Sequence, residues 1–207
     1  MPHDAKFWDK IADKYFASPI GDMDAYEEKL RLTREQFRPD MQVMEFGCGT
    51  GSTALRHAPH VAHIDAFDIS DAMLAIAKRQ ALEQNVSNVK FTTADIADMN
   101  VPDESYDAIL GNSIMHLIED PAGTTKDIYR WLKPGGVFVS STVCLGDGMN
   151  WLKLILPLGR AIGKVPFVQF LKADALVGFM TDAGFKIETH WQPGNGRTVF
   201  LICRKPG

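Results

Sequence analysis

Short apolar segments alternate with longer amphipathic segments along most of this chain, and that alternation is the strongest constraint on its fold. The apolar segments suit buried strands, and the amphipathic ones repeat apolar residues at helical spacing. Strands that alternate with helices predict a mostly parallel sheet covered on both faces. The predicted strands are 43–46, 61–68, 89–93, 106–110 and 136–143, and the predicted helices are 5–17, 23–37, 52–57, 72–84, 122–132 and 171–183.

The C-terminal end breaks this alternation. Two apolar segments, 185–191 and 198–203, follow each other with only Pro-Gly-Asn-Gly at 193–196 between them, which predicts a hairpin-like turn. We therefore expect one antiparallel strand near the C-terminal edge of a doubly wound α/β sheet. The length of 207 residues, 45% of them apolar, is ordinary for one globular domain, so we predict a single domain over 1–207.

The composition argues against several classes of protein. A formal charge of −4 disfavours nucleic acid as a partner, because phosphates favour basic surfaces. Three distant cysteines without a C-x-x-C pair indicate buried thiols in a reducing compartment, not a disulfide framework or a zinc site. The first ten residues lack the apolar core of a signal peptide, and no run of 18 apolar residues occurs. We expect a cytoplasmic protein.

The first strong site signal is Glu-Phe-Gly-Cys-Gly-Thr-Gly at 45–51, where the first strand ends. Ligands of open α/β sheets bind at the carboxyl ends of the strands, and glycines let the backbone approach a ligand closely. The spacing is G-x-G-x-G, whereas the dinucleotide fingerprint is G-x-G-x-x-G. An acid two residues before the first glycine also suits a cationic amino-acid group better than a pyrophosphate.

Two aspartates at the ends of the next strands support a nucleoside-bearing ligand. Asp68 can accept hydrogen bonds from both hydroxyls of a ribose, without deciding which cofactor carries that ribose. Asp95 can meet an adenine amino group while the apolar side chain of Ile96 flanks the ring. Ser70 and Asp71 are better placed than Asp68 to cap the following helix, which weakens a purely structural interpretation of Asp68.

Residues 41–140 carry E-F-G-C-G-T-G, F-D-I-S-x-x-M-L, A-D-I, S-Y-D-A-I and L-K-P-G-G in that order. This ordered set resembles the class I S-adenosylmethionine-dependent methyltransferases, especially the small-molecule group called methyltransferase type 11. The segment F-W-D-x-x-A-x-x-Y at 7–15 resembles the aromatic lead-in that closes over their cofactor. The resemblance implies a seven-stranded sheet of order 3-2-1-4-5-7-6 with strand 7 antiparallel, and S-adenosylmethionine as the cofactor.

The resemblance also implies which residues hold that cofactor. Around its amino-acid end they are Tyr15, Glu45, Gly47, Gly49, Gly51 and Asn112. Around its adenosine they are Asp68, Ile69, Met73, Asp95 and Ile96. The expected reaction is methyl transfer to a small, apolar O, N or C acceptor, for which the protein chiefly aligns the two reactants. A non-catalytic cofactor-binding module and a nicotinamide-dependent oxidoreductase are the alternatives.

Histidines are weaker candidates. His116 follows the fourth strand on the expected acceptor side and could act as a general base, although a pocket-lining or structural role is favoured. His57, His60 and His63 recur every three residues, but Pro59 interrupts the helix that would align them, so no metal site is predicted. The N/D-P-P-Y/F signature of nucleic-acid amine methylation is absent after the fourth strand, where Gly111-Asn112-Ser113-Ile114 stands instead.

The segment 149–171 is the least generic part of the chain. Trp151, Leu154 and Leu158 share one face at helical spacing, and Lys153 with Arg160 occupies the opposite face. This pattern fits a lid-like insertion over an apolar acceptor, a basic face for peripheral membrane contact, or an ordinary core helix. The oligomeric state is left open by the sequence.

Overall fold

The computed structural model describes residues 2–148, 159, 160, 163, 165–194 and 197–207. Each predicted helix and strand has a counterpart. The helices are α1 (Pro2–Ala17), α2 (Met23–Arg34), α3 (Ser52–His57), α4 (Asp71–Glu83), α5 (Pro121–Trp131) and α6 (Ala173–Ala183). The strands are β1 (Gln42–Phe46), β2 (His63–Asp68), β3 (Val89–Thr93), β4 (Tyr106–Asn112), β5 (Leu132–Val143), β6 (Lys186–Trp191) and β7 (Thr198–Arg204).

All seven strands form one sheet of order β3-β2-β1-β4-β5-β7-β6. The pairs β1–β2, β2–β3, β1–β4 and β4–β5 are parallel, whereas β7 runs antiparallel to both β5 and β6. The predicted doubly wound α/β fold and its strand order are confirmed. The strand order reverses between β1 and β4, and in such sheets ligands bind in the crevice at that reversal.

The sheet is buried between two layers of helices. Apolar residues of α3 and α4 pack on one face around Val43 and Ile64, and those of α5 and α6 pack on the other face around Ile109 and Phe138. Helix α1 lies outside these layers, where Ala12 packs on Met73 and Ile76 of α4. A near-continuous apolar sequence in β1, β4 and β5 is what burial on both faces requires.

Some element ends differ from those predicted. Helix α2 ends at Arg34, and the backbone N–H of Phe37 bonds to the carbonyl of Arg34 in a turn, because Pro39 disfavours helical backbone just before it. Strand β4 continues to Asn112. The predicted helix end at Leu132 is the first residue of β5, where Leu132 pairs with Tyr106 ahead of a register shift.

The apolar face predicted within 149–171 lies largely outside the described residues, since 149–158, 161, 162 and 164 are not among them. Residues 166–170 are described and have no regular secondary structure. Among the helices that the structure describes, none is long and apolar enough to cross a membrane.

Candidate active site

Two adjoining cavities open where β1, β2 and β4 end. The larger has a volume of about 500 Å³ and the smaller about 440 Å³. Five residues, here called the shared wall, line both cavities: Tyr15, Gly47, Gly49, Asn112 and Ser113. Ser113 adopts a left-handed backbone conformation, with φ of 56°, which serine disfavours. Such strain is retained where the surrounding structure fixes it, often at functional sites.

Asp68 lines the larger cavity. It ends β2, and its two carboxylate oxygens accept hydrogen bonds from the backbone N–H groups of Gly49 (2.8 Å) and Ser70 (2.9 Å). The side chain of Ser70, one of the two residues that the sequence indicated as caps, caps α4. Burial raises the pKa of Asp68, although the backbone hydrogen bonds favour its charged form. Asp68 therefore couples the glycine loop to α4 and still has lone pairs for a ligand.

The rest of the larger cavity divides into two ends. Near Asp68 its wall is formed by Ile69, Met73, Asp95 and Ile96. Asp95 also caps a short helical turn, because one of its oxygens accepts the backbone N–H of Ala97 at 3.0 Å. At the other end, here called the apolar end, Ile114, Leu117, Ile118, Pro166 and Phe167 line the cavity together with the carboxylates of Asp4, Glu119 and Asp120.

The three predicted glycines meet different neighbours. A Cβ at Gly49 would find only Tyr15, at 3.9 Å, so this residue faces the cavities. A Cβ at Gly47 would come within 2.6 Å of Ile114. Gly51 lines neither cavity, and a Cβ there would come within 2.8 Å of Ala77. Gly51 therefore permits close packing of the loop against α4, and it is not brought together with the other predicted ligand residues.

Glu45 lines the smaller cavity and is 2% exposed. Burial raises its pKa to about 8, with the hydrogen bond from the Asn112 side chain opposing the shift and the charge of Asp68 adding to it. Its Oε2 atom has no hydrogen-bond partner among the described residues. A buried carboxylate oxygen without a partner is costly, so this atom marks a place where a hydrogen-bond donor fits.

Lys29 lines the same cavity, and sequence reasoning missed it. It belongs to α2, and its Nζ donates to Oγ of Ser141 at 3.0 Å. Burial lowers the pKa of its amine, which the charge of Asp22 partly offsets. The only sequence signal was a lysine directly before the buried Leu30, and that pattern is common in amphipathic helices.

Helix α1 contributes Tyr15 to the shared wall. Tyr15 packs edge-on against Trp8, with ring centroids 6.2 Å apart, and both residues line the larger cavity. The predicted aromatic segment at 7–15 thus supplies part of the cavity wall.

His116 is placed differently from the predicted residues around the cavities. It is not among the described residues that line either cavity. Burial lowers its pKa to about 4, and its Nδ1 has no partner among the described residues. Its backbone carbonyl, however, accepts the N–H of Gln169 at 2.7 Å. The structure therefore shows a backbone contact for His116 and no contact of its ring with the cavities.

The side chains that line the cavities determine which ligands can bind there. No cluster of three or more His, Cys, Asp or Glu side chains in the described part of the chain is arranged to hold a metal ion. The amino-acid end of S-adenosylmethionine fits the smaller cavity, because Oε2 of Glu45 has no partner there among the described residues and Lys29 supplies an amine. The space in front of Gly49 lets a ligand approach the backbone closely. Asp68 between apolar side chains fits its adenosine.

Comparison with protein families supports this interpretation. A family profile described as a methyltransferase domain matches residues 37–164. A demethylmenaquinone methyltransferase from Symbiobacterium thermophilum is 26% identical over 218 residues, which cover 90% of this chain and 86% of the relative. A malonyl-[acyl-carrier protein] O-methyltransferase from Halalkalibacterium halodurans is 34% identical over 125 residues, which cover 56% of this chain and 43% of the relative. The match thus spans less than half of that second relative.

Solved structures show the same fold. The YcgJ protein of Bacillus subtilis has a TM-score of 0.71 at 16% identity, over 87% of this chain and 99% of that protein. A Haemonchus contortus phosphoethanolamine N-methyltransferase, solved with phosphomonomethylethanolamine and S-adenosylhomocysteine, also has a TM-score of 0.71 at 16% identity. That match covers 88% of this chain and 53% of the Haemonchus protein.

Proposed function

Because this chain belongs to the methyltransferase-domain family and is a class I S-adenosylmethionine-dependent methyltransferase, we propose that it methylates a small, uncharged, apolar acceptor held in the larger cavity. One observation carries this proposal. The cavity that Asp68 and Ile69 line is also lined by the apolar side chains of Ile114, Leu117 and Phe167. An adenosine and an apolar acceptor therefore fit side by side.

The charges of that wall favour an acceptor without a negative group. Its described residues include six carboxylic acids and no lysine, arginine or histidine; the acids are Asp4, Asp68, Asp95, Asp98, Glu119 and Asp120. Arg160 lies near two of these acids, Asp4 and Glu119, but no cationic side chain is among the described residues of the wall itself, so a phosphate or carboxylate would meet mainly like charges there. The apolar end instead favours burial of an uncharged group.

The cofactor would be held from both cavities. Asp68 would accept the ribose hydroxyls, Ile69, Met73 and Ile96 would flank the adenine, and Asp95 would face its amino group. In the smaller cavity, Glu45 would pair with the α-ammonium group, and Lys29 with the α-carboxylate.

The chemistry demands little of the chain beyond placement. When bound, S-adenosylmethionine supplies a methyl group on a positively charged sulfur. The shared wall lines both cavities, and Trp8 of α1 packs edge-on against its Tyr15. Holding two reactants in one orientation and excluding water can provide most of the acceleration such a transfer needs.

Formation of S-adenosylhomocysteine in the presence of different acceptors tests the proposal. The panel contains uncharged phenols, a demethylmenaquinone, a malonyl thioester and phosphoethanolamine. We expect turnover with one or more of the uncharged compounds and none above background with phosphoethanolamine. Preferred methylation of phosphoethanolamine or the malonyl thioester would show that the acceptor class is wrong.

A further inference from the structure

The carboxylate of Asp4 links α1 to a distant part of the chain at the apolar end of the larger cavity. Asp4 lies in the first turn of α1, and its side chain is 14% exposed. One of its oxygens accepts the backbone N–H of Phe167 at 3.0 Å, and the other lies 3.7 Å from Nη2 of Arg160. Asp4 and Phe167 both line the larger cavity.

Arg160 contacts the same junction of Asp4 and Phe167. Its guanidinium lies 4.8 Å from the centre of the Phe167 ring and 3.9 Å from Oε1 of Glu119. Gln169 fixes the same segment to the loop after β4, because its side-chain amide donates to the carbonyl of Glu119 at 3.2 Å. Three separate parts of the chain therefore meet at this end of the cavity, and the Asp4 carboxylate is the contribution of α1.

The same helix is fixed to the opposite end of the cavity. One oxygen of Asp9 accepts the hydroxyl of Ser70 at 2.7 Å and the backbone N–H of Ala72 at 3.1 Å. Ser70 in turn donates its N–H to Asp68, the carboxylate proposed to hold the ribose. Helix α1 thus contacts the adenosine end through Asp9 and the apolar end through Asp4.

We infer that Asp4 is a positioning residue for the acceptor: when α1 docks over the cofactor, Asp4 places Phe167 as a wall of the acceptor end. This inference rests on the proposed function, which assigns that end to the acceptor. It predicts that loss of the Asp4 carboxylate weakens acceptor binding and spares cofactor binding. A helix that only covered the cofactor would show the reverse.

Hydrogen exchange tests the hydrogen bond between the Phe167 amide and Asp4 in the absence of any ligand. In Asp4→Ala the amide of Phe167 loses its acceptor, so its exchange should accelerate about tenfold, the scale of one hydrogen bond to a charged group. Asp4→Asn keeps an oxygen that can accept this amide, so protection should be largely restored. Asp13→Ala, an exposed aspartate of the same helix, is the matched control. Equal exchange at 165–171 in Asp4→Ala and Asp13→Ala would overturn the inference.

A binding measurement separates the two ends of the cavity. N-phenyl-1-naphthylamine, an uncharged fluorescent probe, is titrated into protein saturated with S-adenosylhomocysteine. Asp4→Ala should weaken binding of the probe about fivefold or more, while the affinity for S-adenosylhomocysteine changes less than about twofold. Arg160→Gln should shift the probe in the same direction. Equal losses for both ligands would overturn the inference. A wild-type protein that does not bind the probe would instead contradict the apolar acceptor of the proposed function, and hydrogen exchange at Phe167 would then decide the role of Asp4.

These outcomes are distinct from failure of the proposed function. A wild-type protein without affinity for S-adenosylhomocysteine would contradict the assigned cofactor site, and hydrogen exchange at Phe167 would still decide whether Asp4 positions that segment. Normal methyl transfer with an unchanged acceptor KM in Asp4→Ala would remove Asp4 from acceptor positioning and leave the methyltransferase assignment intact.

Discussion

The two cavities share one wall and differ in chemistry on either side of it. The described lining of the larger cavity combines carboxylates with apolar side chains, whereas that of the smaller includes Lys29, Glu45 and several hydroxyl groups. The larger therefore suits an uncharged nucleoside and an apolar acceptor, and the smaller suits a zwitterionic amino acid. We propose that the two cavities hold the two ends of one cofactor by different chemistry.

Two ligands can distinguish the contributions of the two cavities to binding. S-adenosylhomocysteine carries both the adenosine and the amino-acid end, whereas 5′-methylthioadenosine carries the adenosine and lacks the amino acid. A change in the larger cavity should affect both ligands, and a change in the smaller cavity should affect only the first. Calorimetric titration with each ligand makes the comparison quantitative.

The largest effect is expected for Asp68→Ala. Its carboxylate would bind the ribose and also holds Gly49 and Ser70 through their N–H groups. We expect both ligands to lose about 2 kcal/mol of binding free energy, roughly thirtyfold in affinity. The control is Asp71→Ala, an exposed aspartate in the first turn of α4. An unchanged affinity for 5′-methylthioadenosine would remove Asp68 from the adenosine site.

The second-largest effect is expected for the pH dependence of ligand affinity, which should differ between the two cavities. The pKa of Glu45 is raised to about 8 by burial, so the free protein carries it protonated near neutral pH. Pairing with an ammonium group requires the ionised form, whose fraction rises from roughly 3% at pH 6.5 to roughly 50% at pH 8. Affinity for S-adenosylhomocysteine should therefore rise about fifteenfold over that range, and affinity for 5′-methylthioadenosine should stay nearly constant.

Glu45→Gln provides the control, because glutamine does not titrate and the rise with pH should disappear. The same shift has a consequence for folding. A carboxyl with a raised folded pKa binds more protons in the native state between pH 4.5 and about 8. Its contribution to the free energy of unfolding is therefore present below that window and is lost as pH rises through it. A pH dependence of binding that persists in Glu45→Gln would assign the proton to another group.

A smaller effect is expected for Lys29→Met, which removes the positive charge of the smaller cavity and keeps the length of the side chain. We expect about a tenfold loss of affinity for S-adenosylhomocysteine and no change for 5′-methylthioadenosine, since only the first has a carboxylate. Lys78→Met on the exposed side of α4 controls for general charge effects. Equal losses for both ligands would mean that Lys29 acts on the fold and not on the carboxylate.

The sequence predicted that Asp68, Asp95 and their neighbours lie together, because these residues stand where strands end; that they hold an adenosine stays a prediction. The alternation of strands and helices places Asp68 and Asp95 at one edge of the sheet, so position along the chain implies position in space. The strand order and the antiparallel β7 followed from the resemblance and agree with the structure. Glycine spacing alone could not show that Gly51 packs against Ala77 while Gly49 faces the cavities.

The part that Lys29 and Ser141 play in the smaller cavity and the junction at Asp4 were not predicted, whereas Glu45, Gly49 and Asn112 of the smaller cavity were. Lys29 and Ser141 are 112 residues apart, and Phe167 and Asp4 are 163 residues apart, so these contacts depend on how α2 and α1 pack over the sheet. Local periodicity shows that a helix is amphipathic and does not show which groups it meets. The raised pKa of Glu45 likewise follows from burial, which is a property of the folded molecule.

The smallest effect is expected for His116, which the sequence offered as a general base. Burial lowers its pKa to about 4, so the ring is neutral at pH 7 but a weak proton acceptor, and it is not among the described residues lining either cavity. His116→Ala should therefore lower kcat less than about threefold at saturating cofactor, whereas loss of a general base costs about a hundredfold. Because the pKa of His116 is lower in the folded than in the unfolded protein, the free energy of unfolding should decrease as pH falls from 6.5 towards 4. This pH dependence should be absent in His116→Gln. A hundredfold fall in kcat with both ligand affinities intact would instead restore His116 as the base and require its ring to reach the acceptor.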